Sequence, residues 1–224
     1  MPGESTVVIR RAAGGGSDIA VGITESAIGG SGCTTSGVTT AASGSLFLVG
    51  CSCPNGATLS TPTDSKSNTY NPVTTETDFF GRNHRVWQAT NGTGGASHTF
   101  TCNCSSGATD CFVIEFTNAA TASAIDTQNT ASDSSSPYTV SGTTSNANDG
   151  LASFMWHDAS SGTCSHSESS GFTVQDQITN STTDWPGASA TRIVSSTSTY
   201  TPSWTVATCT GTANAVVKII AVKD

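Results

Sequence analysis

Cys111-Phe112-Val113-Ile114-Glu115-Phe116 is the stretch on which the fold of this chain turns. It has strand length, it is dominated by β-branched and aromatic residues, and Ser105-Ser106-Gly107-Ala108-Thr109-Asp110 leads into it as a loop. Two other runs share its character, Ser45-Leu46-Phe47-Leu48-Val49 and Val216-Val217-Lys218-Ile219-Ile220-Ala221-Val222. The Leu46–Cys53 segment is apolar at successive positions, which predicts a central strand covered on both faces. Just upstream of Cys111, His98–Cys104 alternates, placing His98, Phe100, Cys102 and Cys104 on one face. The economical expectation is a hairpin in which Phe100, Cys102 and Cys104 lie with Phe112, Ile114 and Phe116, Glu115 points outward and Cys111 sits near the turn.

Working outward, further strands are expected at Asp18–Glu25, His84–Thr90, Tyr138–Gly142, Gly150–His157, Gly171–Val174, Arg192–Ser196 and Thr201–Thr208. Pro54-Asn55-Gly56 and Asn91-Gly92-Thr93-Gly94-Gly95 are turns. Ala119–Ser136 is small and polar and reads either as a surface excursion or as a linker between two halves. A small-residue stretch followed by an apolar strand occurs at Ser43–Val49 and again at Asn148–Phe154, consistent with two sheets of one sandwich. No window carries a helical period. The fold class is therefore all-β: an antiparallel sandwich or barrel, read as a single domain over residues 18–224 behind a short N-terminal arm at 1–17.

Composition narrows the function. The chain has 224 residues, of which 11% are charged, and 8 basic against 16 acidic side chains give a net charge of -8. That balance argues against nucleic acid as a partner. Ser and Thr supply about a third of the residues, yet the evenly spread apolar runs argue against disorder. No apolar stretch has the length of a membrane helix, so no membrane partner is expected. The N-terminal Met1–Arg11 segment does not have the order of a secretory signal. Eight cysteines in such a chain leave three resolutions: free thiols, a metal site, or a protein made in the cytoplasm, released by lysis and oxidised afterwards, of which the last fits a virus particle.

Leu46-Phe47-Leu48-Val49-Gly50 is followed by Asp64-Ser65-Lys66-Ser67-Asn68-Thr69-Tyr70, then by Val86-Trp87-Gln88-Ala89-Thr90 and His98-Thr99-Phe100-Thr101. That order resembles a β-sandwich family of tailed phages and bacterial surface proteins. Phe112–Phe116, Ala124-Ile125-Asp126, Gly150–Phe154 and Val216–Ile220 continue it, so that it spans residues 18–222 through strand-and-turn motifs. It implies a single antiparallel β-sandwich, jelly-roll-like, used as a virion or surface component, and it carries over no catalytic residue. The eight cysteines depart from the family pattern.

Candidate chemistry centres on those cysteines. Cys51-Ser52-Cys53 and Cys102-Asn103-Cys104 each point two sulfurs to one face of a strand, roughly 7 Å apart, which suits disulfides or buried thiols better than one tetrahedral ion. Cys164 and Cys209 are placed for a loop-to-strand bridge, and Cys33 and Cys111 complete the candidate disulfide set, whose connectivity the spacing leaves open. No metal, cofactor or catalytic residue is expected. Cys164-Ser165-His166 does not by itself make a Cys-His pair, and His166 in so polar a loop reads as exposed, while His157-Asp158 reads as a polar strand end or a metal ligand. Trp87, Trp156 and Trp204 read as core, and Trp185, in Thr183–Gly187, is the candidate exposed binding aromatic.

These readings lead to a non-enzymatic virion structural protein of a tailed phage, in capsid decoration or on the tail surface. Its expected partners are capsid or other virion proteins and further copies of itself, and its place is the virion, extracellular after release. The alternative is a glycan-binding β-sandwich module for adhesion.

Overall fold

The structure is a computed structural model that describes residues 18–79, 81–159, 162–179, 186–211 and 214–224; the expected arm at 1–17 lies outside them. The first half comprises β1 (Ala20–Gly29), β2 (Gly32–Thr34), β3 (Ser43–Pro54), β4 (Leu59–Asp64), β5 (Asn71–Pro72), β6 (Thr77–Phe79), β7 (Arg82–Thr93), β8 (Phe100–Cys104) and β9 (Thr109–Thr117). The second comprises β10 (Ile125–Asp133), β11 (Tyr138–Thr139), β12 (Gly142–Thr143), β13 (Gly150–His157), β14 (Ser165–Glu168), β15 (Thr173–Ile178), β16 (Gly187–Ile193), β17 (Thr199–Tyr200), β18 (Ser203–Ala207) and β19 (Ala215–Val222). The described residues contain no helix, as the sequence predicts.

The halves share one topology. The larger sheet of the first runs β1-β9-β3-β7-β5, with β6 also on β7, and that of the second runs β10-β19-β13-β16-β15. In each, the first strand of the half pairs with its last, and the last pairs with the next long strand. The smaller sheets match as well, β2-β8-β4 against β11-β18-β14. Even the ribbon β12-β17 has a counterpart, the isolated bridge between Val38 and His98. This interleaving of chain ends with middle strands is the wrapping of a jelly roll. The faint repeat in the sequence is real: Ser43–Val49 lies on β3 and Gly150–Phe154 on β13, the equivalent strands of two facing sheets.

Four layers result. The two larger sheets face one another across a core that includes Leu46, Leu48, Phe112, Ile114 and Phe116 on one side and Phe154, Trp156, Ile220 and Val222 on the other. Each larger sheet is backed on its outer face. Phe47, Val49, Trp87 and Val113 pack under β8 residues Phe100 and Cys102, while Leu151, Met155, Val217 and Ile219 pack under Tyr138 and Trp204. Alternation explains the runs: in β3, β9, β13 and β19 odd and even positions enter different cores, so both must be apolar. The central approach is close. A Cβ on Gly50 would stand 3.0 Å from the Phe154 ring, and one on Gly150 would stand 2.5 Å from the Phe116 ring.

Four expectations are corrected. Strands β8 and β9 do not form a hairpin: the loop between them crosses from the backing sheet to the larger sheet, where β9 inserts between β1 and β3. Phe112, Ile114 and Phe116 therefore face the central core, and Phe100 and Cys102 pack instead with Cys111 and Val113. Glu115 is buried, not exposed; its carboxylate accepts from Ala41 N–H at 2.9 Å, Ser45 Oγ at 2.5 Å and Ile23 N–H at 3.2 Å. A Cβ on Gly22 would fall 2.4 Å from Glu115 Oε2, so glycine there leaves room for the carboxylate beside the β1 bulge. The polar stretch after Ala119 joins the halves but also contains β10, an edge strand paired along its length with β19. The strand expected at 192–196 lies earlier, at Gly187–Ile193.

Candidate functional site

Three disulfides form: Cys51–Cys102, Cys53–Cys104 and Cys164–Cys209. The first two link β3 to β8, so the C-x-C pairs act as two parallel cross-sheet staples, each sulfur meeting its counterpart across the layer. The 51-residue separation is the same in both, which follows from the matched spacing of the pairs. Cys33 and Cys111 remain thiols, both buried. Cys111 lies within β9 opposite Cys51, not in a turn, and the hydrogen bond it shares with Cys33, together with burial, pushes its thiol well above the usual range. Deep thiols of this kind are unreactive.

The Asp64–Tyr70 motif becomes an anchoring hub at the end of β4. Asp64 Oδ1 accepts from Lys66 N–H (2.9 Å) and Asn68 N–H (3.1 Å), and Oδ2 accepts from Asn68 Nδ2 (2.7 Å) and the Tyr70 hydroxyl (2.7 Å). Burial pushes this carboxyl up, but those hydrogen bonds outweigh it and hold the pKa below the usual value. His98 Nε2 stands 3.2 Å from Asp64 Oδ2, and its Nδ1 stands 3.0 Å from the Thr40 hydroxyl. This hydroxyl–imidazole–carboxylate row is buried, and Thr40 Oγ1 also accepts from Gly95 N–H at 3.0 Å, so the row ties loops together. The second half repeats the device with Glu168 at the end of β14, whose carboxylate accepts from the N–H groups of Ser170, Phe172 and Ser203.

Among the described residues, two groups of side chains bring metal-ligating atoms within 4.8 Å of one another: Cys51, Cys102 and Cys111, inside the first backing core, and His157, Cys164 and Cys209. His166 is outside the latter group and meets it through His157. His157 Nε2 and His166 Nε2 are 2.9 Å apart, His157 Nδ1 is 2.8 Å from the Asp158 carbonyl, and His166 Nδ1 is 3.0 Å from Gln177 Oε1. Strand ends build this corner: His157 closes β13, Cys164 precedes β14, His166 lies on it, and Cys209 follows β18. Both imidazoles are buried, which corrects the exposed reading of His166. Burial lowers both pKa values, that of His166 to about 4 with His157 contributing. Cys164 and His166 differ by two positions on an extended chain and so share a side, which was visible in the sequence. The approach of His157 and Cys209 was not, because it depends on how β13 and β18 are layered.

Of the aromatics, Trp87, Trp156, Trp204, Tyr70, Tyr138 and Tyr200 are all buried. Trp185 lies outside the described residues. Among the described residues the large hydrophobic side chains that are exposed are Ile28 and Ile193. No protein-family model matches the chain, and neither does any curated protein or solved structure.

Proposed function

We propose that the chain is a non-enzymatic structural component of a tailed-phage virion, a capsid decoration or tail-surface protein that acts through contacts with capsid or other virion proteins and with copies of itself. The observation that carries this reading is the tandem topology: two jelly-roll-like halves share one core, and the jelly roll is a wrapping found in viral capsid domains as well as in lectins. The hydrogen-bonded carboxylates support it, since buried Glu115 and half-buried Asp64 and Glu168 spend their oxygens on holding the chain in place. A Ser/Thr-rich surface with little charge suits close packing against neighbours. Oxidation after lysis would close the disulfides in the released particle. The alternative, a glycan-binding module, keeps Trp185 as its residue.

The test is peptide mass spectrometry on purified extracellular particles from the source, without reduction. Many copies per particle alongside a major capsid protein are the expected result. Absence from particles, together with saturable binding to a sugar on a glycan array that Trp185→Ala abolishes, would replace this reading with the alternative.

A further inference from the structure

The corner formed by His157, His166, Cys164 and Cys209 has the chemistry of a metal site in its reduced state. The hydrogen bonds assign its protons. A backbone carbonyl only accepts, so His157 Nδ1 must donate to Asp158 O. Gln177 Oε1 receives the backbone N–H of His166 at 3.0 Å, which identifies that atom as the oxygen, so His166 Nδ1 donates to it as well. Both rings are buried, which disfavours a second proton on either. Each Nε2 is then left with a lone pair, and the two lone pairs face each other at 2.9 Å. Two acceptors at that distance repel unless something electrophilic lies between them. A hydrogen bond between the rings would require one of them to give up its Nδ1 hydrogen and its oxygen partner.

Imidazoles fixed through Nδ1–H to oxygen, with Nε2 converging, are arranged as metal ligands are. Two nitrogens on one tetrahedral zinc stand about 3.3 Å apart, so a small opening of the pair admits the ion. The two sulfurs are already within 4.8 Å of a ring nitrogen of His157 and of each other, and His166 is brought to the corner by its 2.9 Å approach to His157. Cys209 is half-exposed and provides a way in.

We propose that the reduced chain binds one zinc ion through Cys164, Cys209, His157 and His166, and that the Cys164–Cys209 disulfide is the metal-free, oxidised form of the same corner. A dithiol reductant supplies two electrons and two protons to the bridge and leaves as its own cyclic disulfide. Zn²⁺ then displaces the two thiol protons to solvent and binds two thiolates and two neutral imidazoles, so the site carries no net charge, as a buried site should. Gln177 acts as a positioning residue through His166. The inference is independent of the virion reading.

The test uses the full chain, reduced anaerobically with a dithiol that is then removed, and titrated with Co²⁺ and with Zn²⁺. One metal per chain is expected, with thiolate-to-cobalt charge-transfer bands and the strong visible bands of a four-coordinate ion. Both should vanish on reoxidation as the metal is released. Cys209→Ser and His166→Asn should each weaken binding by more than about tenfold and alter the cobalt spectrum, and Gln177→Ala should weaken it about 10–100-fold. Cys33→Ser/Cys111→Ser should leave stoichiometry and spectrum unchanged. Failure of the reduced chain to take up either metal would overturn the proposal. So would uptake that survives both Cys209→Ser and His166→Asn with the wild-type spectrum, or uptake that Cys33→Ser/Cys111→Ser abolishes.

Discussion

The two halves of this protein solve one packing problem with different chemistry. In the first, the small sheet is fastened to the large one by two adjacent disulfides running through the core between β3 and β8. In the second, the equivalent position is filled by packing: Trp204 is fully buried over Leu151, Met155 and Val217, and its indole N–H donates to Ser153 Oγ at 3.0 Å. The one disulfide there joins Cys164 and Cys209 at the ends of β14 and β18 and holds a corner instead of a core. The topology thus does not require sulfur. It requires that the outer face of each large sheet be covered, and either a bulky aromatic or a covalent link meets that need.

The largest effect should come from removing both staples. Closing 51 residues of chain is worth about 4 kcal/mol in unfolded-state entropy, and the second bridge closes the same loop. Cys53→Ala/Cys104→Ala should therefore cost far less than about 4 kcal/mol, whereas replacing all four cysteines should cost that amount or more. Denaturant midpoints of the two variants would show this strong non-additivity. Trp204→Ala should cost about 3–5 kcal/mol, because nothing covalent retains the second backing sheet. Trp87→Ala, beneath the stapled sheet, provides the comparison: it should perturb hydrogen exchange on β8 less than Trp204→Ala perturbs β18. Gly150→Ala should destabilise by about 1–3 kcal/mol through overpacking against Phe116, and Gly50→Ala by less, given its looser 3.0 Å approach.

The halves also differ in their titrations. In the first, the carboxylates of Asp64 and Glu115 are surrounded by donors, and Arg82 pairs with Asp110 at 3.2 Å. In the second, Asp149 is buried, and burial together with the neighbouring Asp126 carboxylate pushes its pKa up to about 7 from 3.8. Buried Lys218 reaches Thr75 O, Thr77 Oγ1 and Thr130 Oγ1, and burial with nearby Arg85 pushes its pKa down to about 7 from 10.5. The fold prefers both groups neutral. Asp149 stays protonated in the fold while the unfolded chain ionises, so its contribution is full below pH 3.8 and falls away by pH 7. Lys218 does the reverse, and its contribution grows from pH 7 to about 10.5. Melting curves across pH should show Asp149→Asn removing the acid-to-neutral decline and Lys218→Met removing the alkaline rise.

Much of the fold was legible because its long central strands are buried on both faces. Leu46–Cys53, Phe112–Phe116 and Val216–Val222 are apolar at every second position twice over, and no helix period competes with them. Elements read wrongly are those whose partners are remote in sequence. Strands β8 and β9 are adjacent in the chain and look like a hairpin, yet β9 fills a slot between β1 and β3 that a jelly-roll wrap leaves open. Strand β10 is an edge with one wet side, so its Thr, Asn and Ser residues resembled a loop. Glu115 alternates outward only if one layer is assumed; a second layer turns outward into inward. The cysteine chemistry was half legible. Matched C-x-C spacing pointed to paired sulfurs, but the thiol state of Cys33 and Cys111 and the meeting of His157 with His166 depend on layering.

The most direct test of the account, in which one architecture is fastened by sulfur in one half and by packing in the other, is a disulfide map of the native, unreduced chain. Fragmentation must break the backbone between Cys51 and Cys53 so that the parallel staples are resolved. The account predicts Cys51 linked to Cys102, Cys53 to Cys104 and Cys164 to Cys209, with Cys33 and Cys111 alkylated only after denaturation. Crossed pairing of the C-x-C cysteines, or a link from either C-x-C pair to Cys164 or Cys209, would contradict it.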